Sequence, residues 1–125
     1  MSHRSGIRVA IYLLTALTIM LLSLMDGPPV PQSGLLGWDK LQHALAYAFL
    51  TLLGGWAFTP GLGARRAWRW ALLLAVTYGG LMEVAQNLLA GRRSGHPADA
   101  LANALGAAAV FGVARLWRGR REERP

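Results

Sequence analysis

Four long apolar runs dominate the chain and limit what it can fold into. They are Val9–Met25, Leu41–Thr59, Trp70–Ala90 and Ala98–Trp117, and the third carries one formal charge, at Glu83. A helix rises about 1.5 Å per residue, so each run reaches roughly 26 to 32 Å, close to the hydrocarbon thickness of a bilayer. A soluble domain of 125 residues needs wide polar helix faces, and none of the runs has one. The sequence therefore predicts an all-α integral membrane bundle of four transmembrane helices.

Composition excludes several other classes of protein. The length of 125 residues suits a single domain, here residues 1–125. A hydrophobic content of 54% excludes a disordered chain, and the absence of cysteine excludes a disulfide or cysteine-based zinc scaffold. We expect no cofactor and no structural metal.

The first apolar run has a second interpretation, as a cleaved signal peptide, because Arg4 and Arg8 precede it. However, the residues that follow the run, Leu24-Met25-Asp26-Gly27, offer no small-x-small cleavage site. We therefore expect an uncleaved first span. The connectors at 26–40, 60–69 and 91–97 are short and rich in glycine, proline or arginine, which is typical of loops and turns.

The distribution of basic residues predicts the orientation of the bundle. With four spans, the N-terminus, the second connector and the C-terminus share one side, which holds ten arginines, whereas the other side holds Lys40, Arg92 and Arg93. The positive-inside rule then places both termini in the cytoplasm. The net charge of +7 is thus explained by topology, and we expect the lipid bilayer rather than nucleic acid as the partner.

The polar residues of the spans converge on the outer half of this bundle. Spacings of four place Asp39, His43 and Tyr47 on one face of the second span, beside Lys40. The remaining polar residues of this layer come from the third span, the outer turn and the fourth span: Glu83, Gln86, Arg92, Arg93, Asp99 and Asn103. A carboxylate near mid-bilayer is costly, so Glu83 should face the interior and find a partner. Small residues such as Gly79 and Gly106 should let the helices approach closely.

The combined pattern is Asp39-Lys40-x-x-His43-x-x-x-Tyr47, then Glu83-x-x-Gln86, then Arg92 and Asp99-x-x-x-Asn103-x-x-Gly106. It resembles the VanZ-like family over about residues 38–112. The resemblance implies a small multi-pass protein of the bacterial inner membrane with a role in the cell envelope, and the founding member is linked to resistance to the glycopeptide antibiotic teicoplanin. The doubled Arg92-Arg93 and the Gly95-His96-Pro97 turn depart from the family's pattern.

Three interpretations of the polar residues stay open. In the first, Glu83, Arg92 and Asp99 belong to an interhelical network that only holds the bundle together. In the second, the protein binds an anionic or zwitterionic envelope ligand, a lipid headgroup or a lipid-linked wall precursor. Arg92 and Lys40 would then meet phosphate or carboxylate, while Asn103 and Gln86 supply orienting hydrogen bonds.

The third interpretation is a small membrane hydrolase. His43 would act as general acid or base oriented by Asp39, with Glu83 as a second carboxylate. No nucleophile stands out in the sequence, so the reaction would need an activated water molecule. A metal site made of His43, Glu83 and Asp99 is conceivable, but one histidine with scattered carboxylates is a poor metal signature. The oligomeric state does not follow from the sequence.

Overall fold

A computed structural model describes residues 3–25, 38–89 and 95–122. Over these residues the chain is all-α, without a strand. The four helices, in chain order, are α1 His3–Leu24, α2 Trp38–Leu62, α3 Ala64–Leu89 and α4 Pro97–Glu122. This confirms the predicted number of helices and the all-α class.

All four helices are long and apolar enough to cross a membrane. Their outward faces carry large apolar side chains: Leu13, Leu81, Leu105 and Val113 are each more than half exposed. The buried residues include Glu83, Gln86, Asp99 and Asn103. Buried polar and charged side chains beneath a largely apolar exterior are unusual for a soluble domain and are compatible with a multi-pass membrane protein.

The helices extend beyond the apolar runs, and one predicted connector is wrong. Residues 60–69 were expected to form a turn, but α2 continues through Pro60 to Leu62 and α3 begins at Ala64. The turn is reduced to Gly63, whose φ of 74° is the left-handed conformation that glycine adopts without strain. Its N–H donates to the Thr59 carbonyl, and its carbonyl accepts from the Ala67 N–H. One residue thus ends α2 and begins α3. A search for apolar runs cannot detect this, because Pro60 and Gly61 precede Gly63 and Arg65 and Arg66 follow it.

Small residues bring α2 into close contact with α3 and α4. A Cβ atom at Gly106 of α4 would overlap the Ala44 carbonyl of α2, and a Cβ at Gly55 would lie 2.6 Å from the Trp68 ring of α3. The predicted close approach at small residues is therefore confirmed. It places the polar faces of α2, α3 and α4 against one another.

Helix α1 packs against α2 and α3 at the edge of the bundle. Tyr12 is its one buried residue, and its ring meets Phe58 edge to face at 4.9 Å. The Tyr78 hydroxyl of α3 donates to the Ala16 carbonyl over 2.7 Å. These contacts attach the first apolar run to the rest of the fold.

The two ends of the bundle differ in chemistry. At one end α1 and α3 finish while α2 and α4 begin, and we call it the polar end. At the opposite end α2 passes into α3 and α4 finishes, and we call it the arginine end. Among the side chains that the structure describes, every carboxylate lies at or near the polar end: Asp39, Glu83 and Asp99.

Candidate functional site

Lys40 joins the start of α2 to the start of α4. Its ammonium forms an ion pair with Asp99 Oδ1 and a second one with Asp39 Oδ2, at 3.2 Å. Lys40 is the one partner of Asp99 Oδ1 among the described residues. Both lysine and Asp99 side chains are mostly buried, at 17% and 11% exposed, so this pair is screened less than a surface pair. The lysine predicted to meet a ligand anion is thus engaged by two carboxylates of the protein.

His43 lies at the centre of the polar residues, one turn after Asp39. Its Nδ1 is 3.1 Å from Asn103 Oδ1 of α4. Because a carboxamide oxygen only accepts, Nδ1 carries the proton in this hydrogen bond. The other nitrogen, Nε2, faces Asp39 Oδ1 and Asp99 Oδ2, each at 3.9 Å. His43 can therefore exchange a proton or bind a cation through Nε2.

Glu83 is 7% exposed and connects α3 to the segment that begins α4. Its Oε2 accepts the backbone N–H of His96 over 2.9 Å, and its Oε1 lies 4.0 Å from His43 Nδ1. The Gly95 backbone packs against the same turn, because a Cβ there would overlap the Glu83 carbonyl. The buried Glu83 carboxylate thus has a hydrogen-bond partner, and the partner is a backbone amide.

Asn103 is 1% exposed, and its Nδ2 has no hydrogen-bond partner among the described residues. The amide lies against Gly79, where a Cβ would come within 3.2 Å of Nδ2. The absent side chain of Gly79 therefore makes room for Asn103 beside Tyr47, which is 2% exposed.

The structure brings together eight of the nine predicted site residues at the polar end: Asp39, Lys40, His43, Tyr47, Glu83, Gln86, Asp99 and Asn103. The ninth, Arg92, lies outside the described residues, as does Arg93. Gln86 donates through Nε2 to the Ser23 carbonyl of α1 over 2.9 Å, so it also anchors the first helix.

A cleft of about 280 Å³ opens beside His43 where α1 meets α2 and α3. Its polar lining includes Asp39, His43 and Gln86, and its apolar lining includes Ile19 and Leu22. A ligand in this cleft would meet charged and apolar groups at once. That combination suits an amphipathic molecule.

The residues on α1 that line the cleft, Ile19, Leu22 and Ser23, were not predicted as part of a site. Gln42 of α2 also lines the cleft and was not predicted either. The only signal in the sequence is that Gln42 interrupts the second apolar run. The residues of α1 look like ordinary membrane-span residues, so no sequence signal identifies them.

The described part of the site holds more carboxylates than cationic groups. Three carboxylates face a single ammonium, that of Lys40, since the other basic residues of this end are outside the described residues. Asp39, His43 and Asp99 each offer a ligand atom, all within 4.8 Å of one another, so these three residues could hold a metal ion. Glu83, expected in such a set, faces the opposite ring nitrogen. A metal ion would share both aspartates with the Lys40 ammonium.

Comparison with known proteins adds no further constraint. No family model, no curated protein and no solved structure matches the chain. The resemblance to the VanZ-like family therefore rests on the spacing of the polar residues in the sequence.

Proposed function

We propose that the chain is a VanZ-like, multi-pass protein of the bacterial inner membrane that binds an envelope lipid headgroup or a lipid-linked wall precursor in the cleft beside His43. In this proposal both termini are cytoplasmic, because the positive-inside rule assigns the arginine end to the cytoplasm. The polar end then faces outward. A role in the envelope, including a link to teicoplanin resistance, follows from the resemblance.

The observation that carries the proposal is the mixed lining of the cleft. Leu22 and Ile19 form an apolar side, and Asp39 with His43 forms a polar side, within a volume of about 280 Å³. The cleft lies close to the helix ends. In a bilayer spanned by the four helices, it would lie where hydrocarbon gives way to headgroups. A lipid can place its headgroup against the polar side while its chains remain along the exposed apolar helix faces.

The charge of the site indicates the class of headgroup. The carboxylates of Asp39 and Asp99 are shared with one ammonium, so a second cationic group would be stabilised beside them. A headgroup with an amine supplies that group. Its phosphate would meet Arg92, as expected from the sequence. The ligand class is therefore a zwitterionic lipid or a wall precursor that carries a free amine.

Selectivity between two matched lipids tests this proposal. Phosphatidylethanolamine and phosphatidylcholine with identical acyl chains differ at the amine, which can donate hydrogen bonds only in the former. We expect the purified protein in detergent to retain more phosphatidylethanolamine in native mass spectrometry. Asp39→Asn should remove the preference, because it deletes one charge of the cleft, whereas Asp39→Glu, which keeps the charge, should retain it. Equal retention of both lipids by the unchanged protein would overturn the amine assignment.

A genetic test addresses the envelope role and the structural alternative together. Glu83→Gln, Arg92→Ala and Asn103→Ala should each abolish function in a teicoplanin or envelope-stress assay while the protein remains at normal abundance in the membrane. Full activity of all three variants would show that the site is not the functional one. Loss of the proteins from the membrane would instead show that the network only holds the bundle together.

A second candidate function, a membrane hydrolase, is favoured by the geometry of His43. Its ring is oriented by Asn103, its Nε2 faces Asp39, and the residue lines the cleft, so it has the position of a general acid or base. The nucleophile would be a water molecule. Turnover of a phospholipid or an undecaprenyl-linked substrate by the purified protein, lost in His43→Ala, would favour the enzyme over a binding protein.

A further inference from the structure

The arginine end of the bundle contains a second cavity, of about 360 Å³, between the first turns of α3 and the last turns of α4. Its charged lining consists of four arginines, Arg65, Arg69, Arg115 and Arg118. The other lining residues are small or aromatic: Ala64, Phe111 and Gly119.

No carboxylate among the described side chains lies at this end to neutralise the four guanidinium groups. The arginines on α3 occupy its first turns, where the helix dipole is positive and a cation is unfavourable. The first turn of α3 has no acidic residue. The described side chains at this end therefore carry an excess of positive charge that an anion would stabilise.

One of the four arginines of this cavity is fixed in place by contacts within the protein. Arg118 donates from its guanidinium to the Ala64 carbonyl over 3.0 Å, and its Cζ lies 5.7 Å from the centre of the Trp68 ring. These two contacts hold Arg118 across the gap between α4 and α3. The guanidinium groups of Arg65, Arg69 and Arg115, which belong to exposed residues, are left to meet a ligand.

We propose that this cavity binds the phosphate group of an anionic phospholipid. Guanidinium groups bind phosphate oxygens through paired hydrogen bonds, and three of them lie around this cavity beside the anchored Arg118. The source is a lipid because the neighbouring residues are those of a membrane interface: Trp70 and Trp117 are half or more exposed at the same helix ends. The proposal shares only the membrane location with the proposed function at the polar end.

The test uses the full chain in detergent and native mass spectrometry, with phosphatidylglycerol and phosphatidylcholine of identical acyl chains as probes. We expect preferential retention of phosphatidylglycerol. Arg69→Gln and Arg115→Gln should each weaken it about five-fold, the effect of one near-surface charge on an anionic lipid. Arg66→Gln is the matched control, because Arg66 is an exposed arginine of the same α3 turn that does not line the cavity. The control should leave retention unchanged.

Two results would overturn the proposal. If Arg66→Gln weakens phosphatidylglycerol retention as much as Arg115→Gln, the binding is a general effect of positive charge and not of this cavity. If inorganic phosphate displaces phosphatidylglycerol at equal concentration, the ligand is a free phosphate rather than a lipid. Phosphatidylethanolamine selectivity at the polar end is measured separately, so either proposal can fail while the other stands.

Discussion

Gly106 offers the sharpest test of how packing positions the polar site. It lies one turn after Asn103 on α4 and faces the backbone of Ala44, the residue after His43 on α2. A Cβ at Gly106 would overlap the Ala44 carbonyl oxygen and lie 2.7 Å from the carbonyl carbon, where ordinary contacts begin at 3.4 Å. In Gly106→Ala the two helices must therefore separate by at least 0.7 Å at this point, the difference between 3.4 and 2.7 Å.

That separation reaches the site directly. A similar displacement would lengthen the His43 Nδ1–Asn103 Oδ1 distance from 3.1 Å to about 3.8 Å, beyond hydrogen-bond range. Forcing a methyl group into a packed interface costs about 1–3 kcal/mol, and the lost hydrogen bond about 1 kcal/mol more. We expect Gly106→Ala to lower the free energy of unfolding by about 2–4 kcal/mol.

The measurement is unfolding of the detergent-solubilised protein by increasing mole fractions of dodecyl sulfate, followed by circular dichroism. Gly112→Ala is the matched control, because it lies on the same helix and nothing is within 4 Å of its Cβ position. The control should be unchanged or stabilised by up to about 1 kcal/mol, since alanine is the better helix former. Equal stability of the two variants would refute the argument that α2 and α4 depend on a glycine contact.

Three further predictions concern α1, the Lys40 ion pairs and the orientation of the bundle. Tyr78→Phe removes the hydrogen bond to the Ala16 carbonyl and should lower the free energy of unfolding by about 1 kcal/mol in the same dodecyl sulfate titration. An unchanged free energy of unfolding would mean that apolar packing alone holds α1. Lys40→Met leaves two carboxylates without their ammonium and should lower the free energy of unfolding by about 3–5 kcal/mol. Lys40→Arg keeps the positive charge and should restore most of this loss. A methionine variant as stable as the unchanged protein would argue against the ion pairs. A single cysteine that replaces His96 should react with a membrane-impermeant maleimide in spheroplasts, whereas a single cysteine that replaces Gly61 should not. The reverse pattern would place the polar end in the cytoplasm.

Some of the site could be predicted because it depends on spacing along one helix. Asp39, His43 and Tyr47 share a face of α2 at steps of four residues, and the structure keeps them together. The polar end of the bundle followed from the positions of the three polar segments relative to the helix ends. Arg92 remains a prediction from the sequence, since it lies outside the described residues.

Contacts between helices could not be predicted in the same way. The ion pair between Lys40 and Asp99 was not predicted, and it forms because α4 begins beside α2. The hydrogen bond from Gln86 to the Ser23 carbonyl of α1 was not predicted either. Both outcomes depend on the rotation and depth of one helix relative to another, which hydrophobic periodicity does not specify.

The sequence by itself determined the all-α class, the four helices and the concentration of ten arginines on one side of the bundle, because apolar length and charge position are local properties. Only the tertiary structure decided that Gly63 alone joins α2 to α3, that α1 completes the cleft, and that four arginines share a cavity. These features require side chains that are far apart in the chain to meet within a few ångströms. Close packing at small residues determines such meetings, and it exists only once the helices are assembled.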